Sequence, residues 1–370
     1  MSSIQAAFTR GATPAAAARE LQERLGAPAP RLVLYFATPA QEPAALAAAM
    51  EAAFAPAVVI GCTSAGELVS GAMLEGTVVA MALGPDVVAE VAVEVLEGLR
   101  AGADRVPAAF EGFGRRLGVP MRKLDPSRHV GLVLVDGLSG AEERVMDSIG
   151  SRTDVLFVGG AAGDGLAFRA THVFAGGRAI PDAAVLAVLR LERGFSILKT
   201  QSFATTGKRL VATEVDEASR TVHAFDGRPA AQAYAAALGV APEALPALFA
   251  RHPLGLMAGD EPFVRSPQRV VGEAVKFYCA IAEGAELEIL RSTDIVEETR
   301  LALERKRRML GGISGLVNFN CILRTLELQK NGQTAAYGAL FADVPTVGFS
   351  TYGEEYLGHV NQTATMLVLR

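Results

Sequence analysis

"VVIGCTSAGELVSG", residues 58 to 71, is an apolar run that meets Gly61, then Cys62 and small hydroxyl residues, then Gly66 and Glu67. Taken alone it has three readings: a catalytic loop with Cys62 as nucleophile, a phosphate cradle, or a bend that the fold requires. The chain writes the phrase twice more. "TVGFSTYGEEYLG" stands at residues 346 to 358, and "FVGGAAGDGLAF" at residues 157 to 168, one residue shorter before its acid. After each copy a second apolar run follows: "TVVAMAL", "AVLAVL" and "TATMLVL". Glycine permits positive φ and close backbone approach, and small hydroxyls satisfy backbone groups at a bend. Cysteine occurs in one copy only, with Gly160 and Phe349 in its place in the others. Repetition with that variation points to a shared structural device rather than to a nucleophile. Strand ends of this kind are also where α/β sheets bind ligands.

The flanking segments repeat the same plan. "RLVLYFAT" (31–38) reads as a buried strand, "EPAALAAAMEAAFA" (42–55) as a helix, and "GTVVAMALG" (76–84) as a strand. "VVAEVAVEVL" (87–96) alternates like a strand, and "HVGLVLVDGLSGAEERVMDSIG" (129–150) is a strand followed by a helix. Ser139 and Glu142 have the spacing of a capping box for that helix. Thr13-Pro14 marks the start of a first helix. The composition turns polar after about residue 205, so a domain boundary is placed at Thr221. Beyond it come a helix from Pro229, antiparallel strands within 262–293, a helix over 294–310, and "GLVNFNCILR" (315–324), a strand passing into a helix. The fold class expected is α/β (mixed α+β) in two parts, residues 1–220 and 221–370.

Composition narrows the function. The 370 residues suffice for two domains, and 50% hydrophobic with 20% charged residues describes a globular chain. A net charge of −5 opposes non-specific binding to nucleic acid. The basic run Arg305–Arg308 reads as a solvated helix face. Three cysteines make neither a disulfide framework nor a zinc site, and Cys62 and Cys279 are expected to be buried and unlinked. With no secretory h-region and no apolar run of about 20 residues, a cytoplasmic protein without a membrane span is expected. No P-loop, GxGxxG, HExxH, GxSxG, EF-hand or CxxCH pattern occurs, and an enzyme is not expected.

Among the five histidines, His252 stands apart. It precedes Pro253, which favours extended backbone, and Phe249, Leu254, Leu256 and Met257 flank it. A neutral imidazole in an apolar collar is what haem iron requires. His129 and His223 are expected on the surface, and His359 follows Gly358 near the third bend.

"VIGCTSAGEL", "VGGAAGDGLAF", "THVFAGG", "FNCILR" and "VGFSTYGEEYLGHVNQTAT" resemble, in order, the signatures of the FIST family. This is a bacterial sensory module with an N-terminal and a C-terminal part, and the resemblance runs from about Arg31 to Leu369. One branch of the family consists of stand-alone haem proteins that sense nitric oxide. They regulate a partner histidine kinase or a cyclic-di-GMP enzyme, a diguanylate cyclase or phosphodiesterase. The resemblance implies haem b with His252 as axial ligand to the iron and His359 in reserve. The family's other implied role is to bind a small polar metabolite such as an amino acid, with Cys62, Glu67, Arg324 and Glu354 near the pocket. A homodimer is compatible with either role.

Overall fold

The computed structural model describes residues 3–25 and 29–370. The chain packs as two compact units: Met1–Thr200 with Arg300–Gly358 and Ala364–Arg370, and Gln201–Thr299 with His359–Thr363. Thr221, where the composition shifts, is the first residue of a strand inside the second unit.

In the first unit, β1 (Ile4–Thr9) and α1 (Pro14–Leu25) lead in. The Thr13 hydroxyl caps α1 by accepting from the Ala16 amide at 3.2 Å. A repeating plan then begins. β2 (Leu32–Ala37), α2 (Pro43–Phe54) and β3 (Val58–Thr63) place two parallel strands side by side. The bend follows, then a hairpin of β4 (Glu67–Val69) and β5 (Ala72–Leu74). β6 (Val78–Leu83) returns antiparallel to β2. The second repeat carries β7 (Val88–Glu97) and α3 (Val106–Leu117) ahead of it. It consists of β8 (His129–Val135), α4 (Glu142–Gly150), β9 (Phe157–Ala161), the hairpin β10 (Val173–Ala175) and β11 (Arg178–Ile180), and the returning β12 (Ala183–Leu191). β13 (Phe195–Gln201) leads out.

The second unit is an antiparallel sheet. Its strands are β14 (Phe203–Asp216), β15 (Thr221–Phe225), β16 (Arg228–Pro229), β17 (Leu254–Ala258), β18 (Glu261–Arg265), β19 (Pro267–Val271), β20 (Ala274–Phe277) and β21 (Glu286–Ser292). They run in the order β18-β17-β21-β14-β15-β20-β19, with β16 on β15. α5 (Ala230–Leu238) covers it through Tyr234, which packs with Phe225, Phe277 and Leu254 in one cluster. α6 (Ile295–Leu310) then leads to the third repeat. That repeat comprises β22 (Gly315–Cys321), α7 (Ile322–Lys330), α8 (Thr334–Ala339), β23 (Thr346–Thr351), β24 (Glu354–Tyr356), β25 (His359–Val360) and β26 (Thr363–Leu369). β22 and β23 are parallel, and β26 returns antiparallel to β22.

The strand after each bend leaves its own repeat. β4 pairs with β23, setting Glu67 opposite Phe349. β24 pairs with β9, setting Glu354 opposite Gly160. β10 pairs with β3, setting Val173 opposite Cys62. The first repeat thus lends its strand to the third, the third to the second, and the second to the first. The inner faces of the three sheets share one apolar core, in which Phe36 lies 4.5 Å from Phe349 and Phe319 meets Phe349 edge-on at 5.9 Å. α1 and α2 cover the outer face of the first sheet over Val33 and Tyr35, and α3 and α4 that of the second over Val133 and Val135.

The acids in the bends bind the chain around them. Glu67 accepts from Ser64 Oγ and from both the amide (3.1 Å) and the hydroxyl (2.7 Å) of Thr77, just ahead of β6. Glu354 accepts from Thr351 Oγ1 at 2.6 Å, in the same i−3 relation that Ser64 has to Glu67. In the shorter second bend Asp164 instead gathers the amides of Phe168, Arg169 and Ala170 at 2.6–3.0 Å. It also accepts at 2.5 Å from the hydroxyl of Tyr352, which belongs to the third bend. Burial pulls Asp164 upward, but these hydrogen bonds outweigh it and hold the carboxyl below its ordinary range.

The three bends are therefore equivalent strand-to-loop turns, as the repetition implies. Two elements, β1 and α3, stand beyond those expected from the sequence. Ser139 does not cap α4: that helix begins at Glu142 after Ala141, and the Ser139 hydroxyl accepts from the Ala141 amide at 3.3 Å. His129 is buried at the head of β8, its Nδ1 2.9 Å from the Asp125 carbonyl, whereas His223 is exposed as expected.

Two outcomes follow for stability. A Cβ on Gly61, Gly159 or Gly348 would stand 1.9, 1.7 or 2.1 Å from the carbonyl oxygen of Tyr35, Val133 or Asn318 respectively. Gly61→Ala and Gly348→Ala are each expected to cost more than about 3 kcal/mol in urea unfolding. Gly76→Ala, at φ +68° with nothing within 4 Å, is expected to cost only about 1 kcal/mol. The second outcome concerns pH. Burial pushes the Glu67 carboxyl from its ordinary 4.5 up to about 7, against the pull of Ser64 and Thr77. The folded chain then holds this proton more tightly than the unfolded chain does. Its stabilising effect is complete below pH 4.5 and is lost as pH rises through about 7. The loss amounts to about 3 kcal/mol. Glu67→Gln retains an acceptor for the Thr77 amide and is expected to flatten the difference between urea midpoints at about pH 5 and pH 8.

Candidate functional site

β22 alternates. Val317 and Phe319 enter the shared core, so Leu316, Asn318 and Asn320 point to the opposite face. Asn318 lies opposite Gly348 in β23, as Tyr35 lies opposite Gly61 and Val133 opposite Gly159. Asn320 lies opposite Ser350, as Ala37 lies opposite Thr63 and Val135 opposite Ala161. Two repeats thus fill this helix-covered face with Tyr35 and Ala37, or Val133 and Val135. The third fills it with two asparagines.

Around them α7, α8 and β23 supply a buried polar layer. The Tyr337 hydroxyl donates to Asn320 Oδ1 at 3.0 Å, and Arg324 Nε donates to the same oxygen at 3.1 Å. Asn320 Nδ2 donates to Thr325 Oγ1 at 3.0 Å, and that hydroxyl is 2.8 Å from Ser350 Oγ. The Arg324 guanidinium lies 5.8 Å from the Tyr337 ring centre, a cation–π arrangement. Arg324 is only 1% exposed, and a buried guanidinium is costly unless its surroundings are polar. Asn318 is fully buried. Its Nδ2 is 3.5 Å from the Tyr337 hydroxyl, and its Oδ1 has no hydrogen-bond partner among the described residues. Either orientation of this amide leaves one end unsatisfied.

Of the residues singled out from the sequence, Arg324 belongs to this layer and Glu67 adjoins it. Ser350 donates its amide to the Gly66 carbonyl at 2.8 Å and accepts from the Ala65 amide at 3.1 Å, so the first bend is tied to the polar strand. Cys62 faces the other way, into the apolar core, and burial pushes its thiol well above the ordinary range. Glu354 is spent on Thr351 and lies along β9. All three cysteines are buried and none is in a disulfide. Asn318, Asn320, Thr325, Tyr337 and Ser350 were missed. Their signal was in the sequence: "GLVNFNC" puts asparagine where "RLVLYFA" and "HVGLVLV" put apolar residues on the same strand face.

His252 lies in the second unit, half-buried after a 3-10 turn over Pro242–Leu248. Its amide donates to the Leu248 carbonyl at 2.8 Å, and its own carbonyl accepts from the Tyr234 hydroxyl. Nδ1 is 3.1 Å from the Leu290 carbonyl. A carbonyl only accepts, so the proton sits on Nδ1 and the free lone pair on Nε2. This is the tautomer that a metal-ligating imidazole takes when its second nitrogen is anchored, so His252 fits a single axial ligand. Phe249 and Leu254 are buried beside it in sequence, while Leu256 is 39% exposed. His359 is buried in β25. Among the described residues no group of three or more His, Cys, Asp or Glu side chains is gathered as for a metal ion, and no helix is long and apolar enough to cross a membrane.

The family model described as FIST N domain matches residues 31–228, and that described as FIST C domain matches residues 230–356. No curated protein matches the chain. The chain belongs to the FIST family, whose domains mark a sensory module of signal transduction.

Proposed function

We propose that this FIST protein is a sensor that takes a small polar metabolite into the layer between β22, β23, α7 and α8 and reports its occupancy to a separate effector. One observation carries the reading. The fold closes this face with apolar residues in two repeats, so it does not need Asn318 and Asn320 in the third. Buried polar groups cost stability unless they are satisfied, and each unsatisfied one costs about 1–3 kcal/mol. A ligand that donates a hydrogen bond to Asn318 and presents acceptor oxygens toward Arg324 suits the layer. An amino acid carries both in one molecule. The layer holds no nucleophile next to a base, so the reading is binding without turnover.

His252 favours a second reading, haem b held by its Nε2, with His359 in reserve. The anchored Nδ1 is the specific support. Ferrous haem binds nitric oxide, which would make the chain a nitric oxide sensor. In that reading the output partner is a histidine kinase, a diguanylate cyclase or a phosphodiesterase. Three cysteines outside any disulfide support a reducing, cytoplasmic setting for either reading.

The first reading is tested by thermal unfolding of wild type and Asn318→Val across a panel of amino acids. Wild type is expected to gain about 2.7 kcal/mol at a ligand concentration 100 times Kd. Asn318→Val is expected to be at least as stable without ligand and to gain nothing with it. A destabilised Asn318→Val beside a wild type that no amino acid stabilises would make the layer purely structural. The second reading is tested by haem reconstitution. Wild type is expected to show a Soret band, and His252→Ala to lose most of the haem while staying folded. Unchanged Soret spectra in both His252→Ala and His359→Ala would remove the axial assignment.

A further inference from the structure

Two grooves flank one loop on the outer side of the second repeat. The first, about 860 Å³, is walled by Pro107, Phe110 and Pro120 and carries Arg115, Arg122 and Arg152. Arg152 is held by Asp104 at 3.1 Å. Arg115 and Arg122 are exposed and make no ion pair among the described residues. Glu111 lies on the same rim, one helical turn before Arg115. The second groove, about 480 Å³, is lined by Met146, Asp147, Asp154, Leu156 and Leu357. Asp147 and Asp154 are exposed and likewise make no ion pair among the described residues. Leu156 is 37% and Leu357 61% exposed, and Leu357 is held at φ +52°. Ser151 and Arg152 face the first groove, while the next residues, Thr153 to Phe157, face the second.

Arginine at a helix C-terminus complements the helix dipole, which accounts for Arg115 in the last turn of α3. It does not account for Arg122, for unpaired acids on the other side of the loop, or for two exposed leucines beside those acids. The groove is also bounded by the C-terminal ends of α3 and α4. Their carbonyls disfavour a compact anion such as phosphate close to the backbone. They leave room for carboxylates that meet the tips of long arginine side chains. The same chain presents such carboxylates, with apolar neighbours, directly across the loop.

We propose that this face is a two-fold interface with a second copy of the chain. In an isologous contact residue i meets residue j and j meets i. A two-fold axis through the loop at Thr153 sets Arg115 and Arg122 of each copy against Asp147 and Asp154 of the other. Leu156 and Leu357 are then covered by the apolar walls of the partner's basic groove. Both halves of the contact come from one sequence, so no other protein is required. The inference is independent of the ligand and haem readings, since the face contains none of their residues.

The test is sedimentation equilibrium of the full chain without ligand. Wild type is expected to dimerise at about 50 mM salt, with Kd weakened roughly tenfold or more at about 500 mM, because exposed charge pairs are screened. The double variant Arg115→Glu, Arg122→Glu is expected to be monomeric, and so is Asp147→Lys, Asp154→Lys. An equimolar mixture of the two is expected to restore a dimer, since an all-acidic face then meets an all-basic one. Circular dichroism of each variant checks its fold, and the mixture reports only on folded chains. A monomeric wild type at about 50 mM salt would overturn the proposal. Charge variants that dimerise like wild type, or a mixture that stays monomeric, would overturn it too.

Discussion

The strand that leaves each bend has no place in the sheet it comes from, and the first unit depends on this constraint. Gly61, Gly159 and Gly348 press so close to the neighbouring carbonyl that no side chain fits, and the chain then turns out of the sheet. β4, β10 and β24 each complete another repeat's sheet. Because the lending runs in a closed ring, each repeat's sheet is incomplete without strands from another, and all three are linked. Residues 300–358 therefore share a unit with residues 1–200 although about a hundred residues of another unit are inserted between them. The acids at the bends fit this scheme: Glu67 and Asp164 bind the chain that has just left the sheet, and Tyr352 from the third bend reaches Asp164 of the second.

How much of this the sequence discloses depends on the length of chain that carries each signal. Repeated glycines before small residues, and apolar runs on either side, are visible because each spans several residues. Three bends could thus be recognised as one device. The destination of a three-residue strand such as β4 is not visible. "ELV" contains no feature that prefers β23 to β3, and pairing is decided by the hydrophobic faces available once the sheets exist. Compact units were hidden for the same reason, since chain order and packing order differ. α3 is less legible because its apolar residues (Val106, Ala109, Phe110, Phe113) sit among glycines and arginines, although Pro107 in its first turn and the Asp104 carboxylate, which accepts from the Val106 amide, mark its start.

The polar layer was legible in principle. Asn318 and Asn320 follow the strand period, so each reads as an ordinary strand residue, and the comparison with the other two repeats is what marks them as unusual. Single-sequence reading weighs a residue against general expectation. An internal repeat allows a stricter comparison, because the same backbone is solved three times with different residues. Where two solutions are apolar and the third is polar, buried and incompletely satisfied, the departure is specific to that copy. Cys62 shows the converse. Its chemistry drew notice in the sequence, but it occupies an inner-face position next to apolar neighbours and carries a thiol that burial keeps protonated.

The exchanged strand also gives the polar layer a mechanical connection. Ser350 touches Thr325 through its hydroxyl and the first bend through both its amide and its carbonyl. Any occupant that reorders Thr325 and Ser350 acts on the backbone of Ala65 and Gly66 without an intervening side chain. Two residues farther on, Glu67 is bonded to Ser64 and Thr77 in a site where burial raises its carboxyl to about 7. The layer and the bend are thus joined by discrete hydrogen bonds, a contiguous physical connection of the kind through which coupling travels. A coupling of about 1–3 kcal/mol between layer and bend would change effector affinity roughly 5- to 150-fold. That is comparable to the cost of leaving one buried amide group unsatisfied. On the proposed reading, satisfying Asn318 would be a sufficient source of such a bias, and the first bend, lent to the third repeat, would carry it.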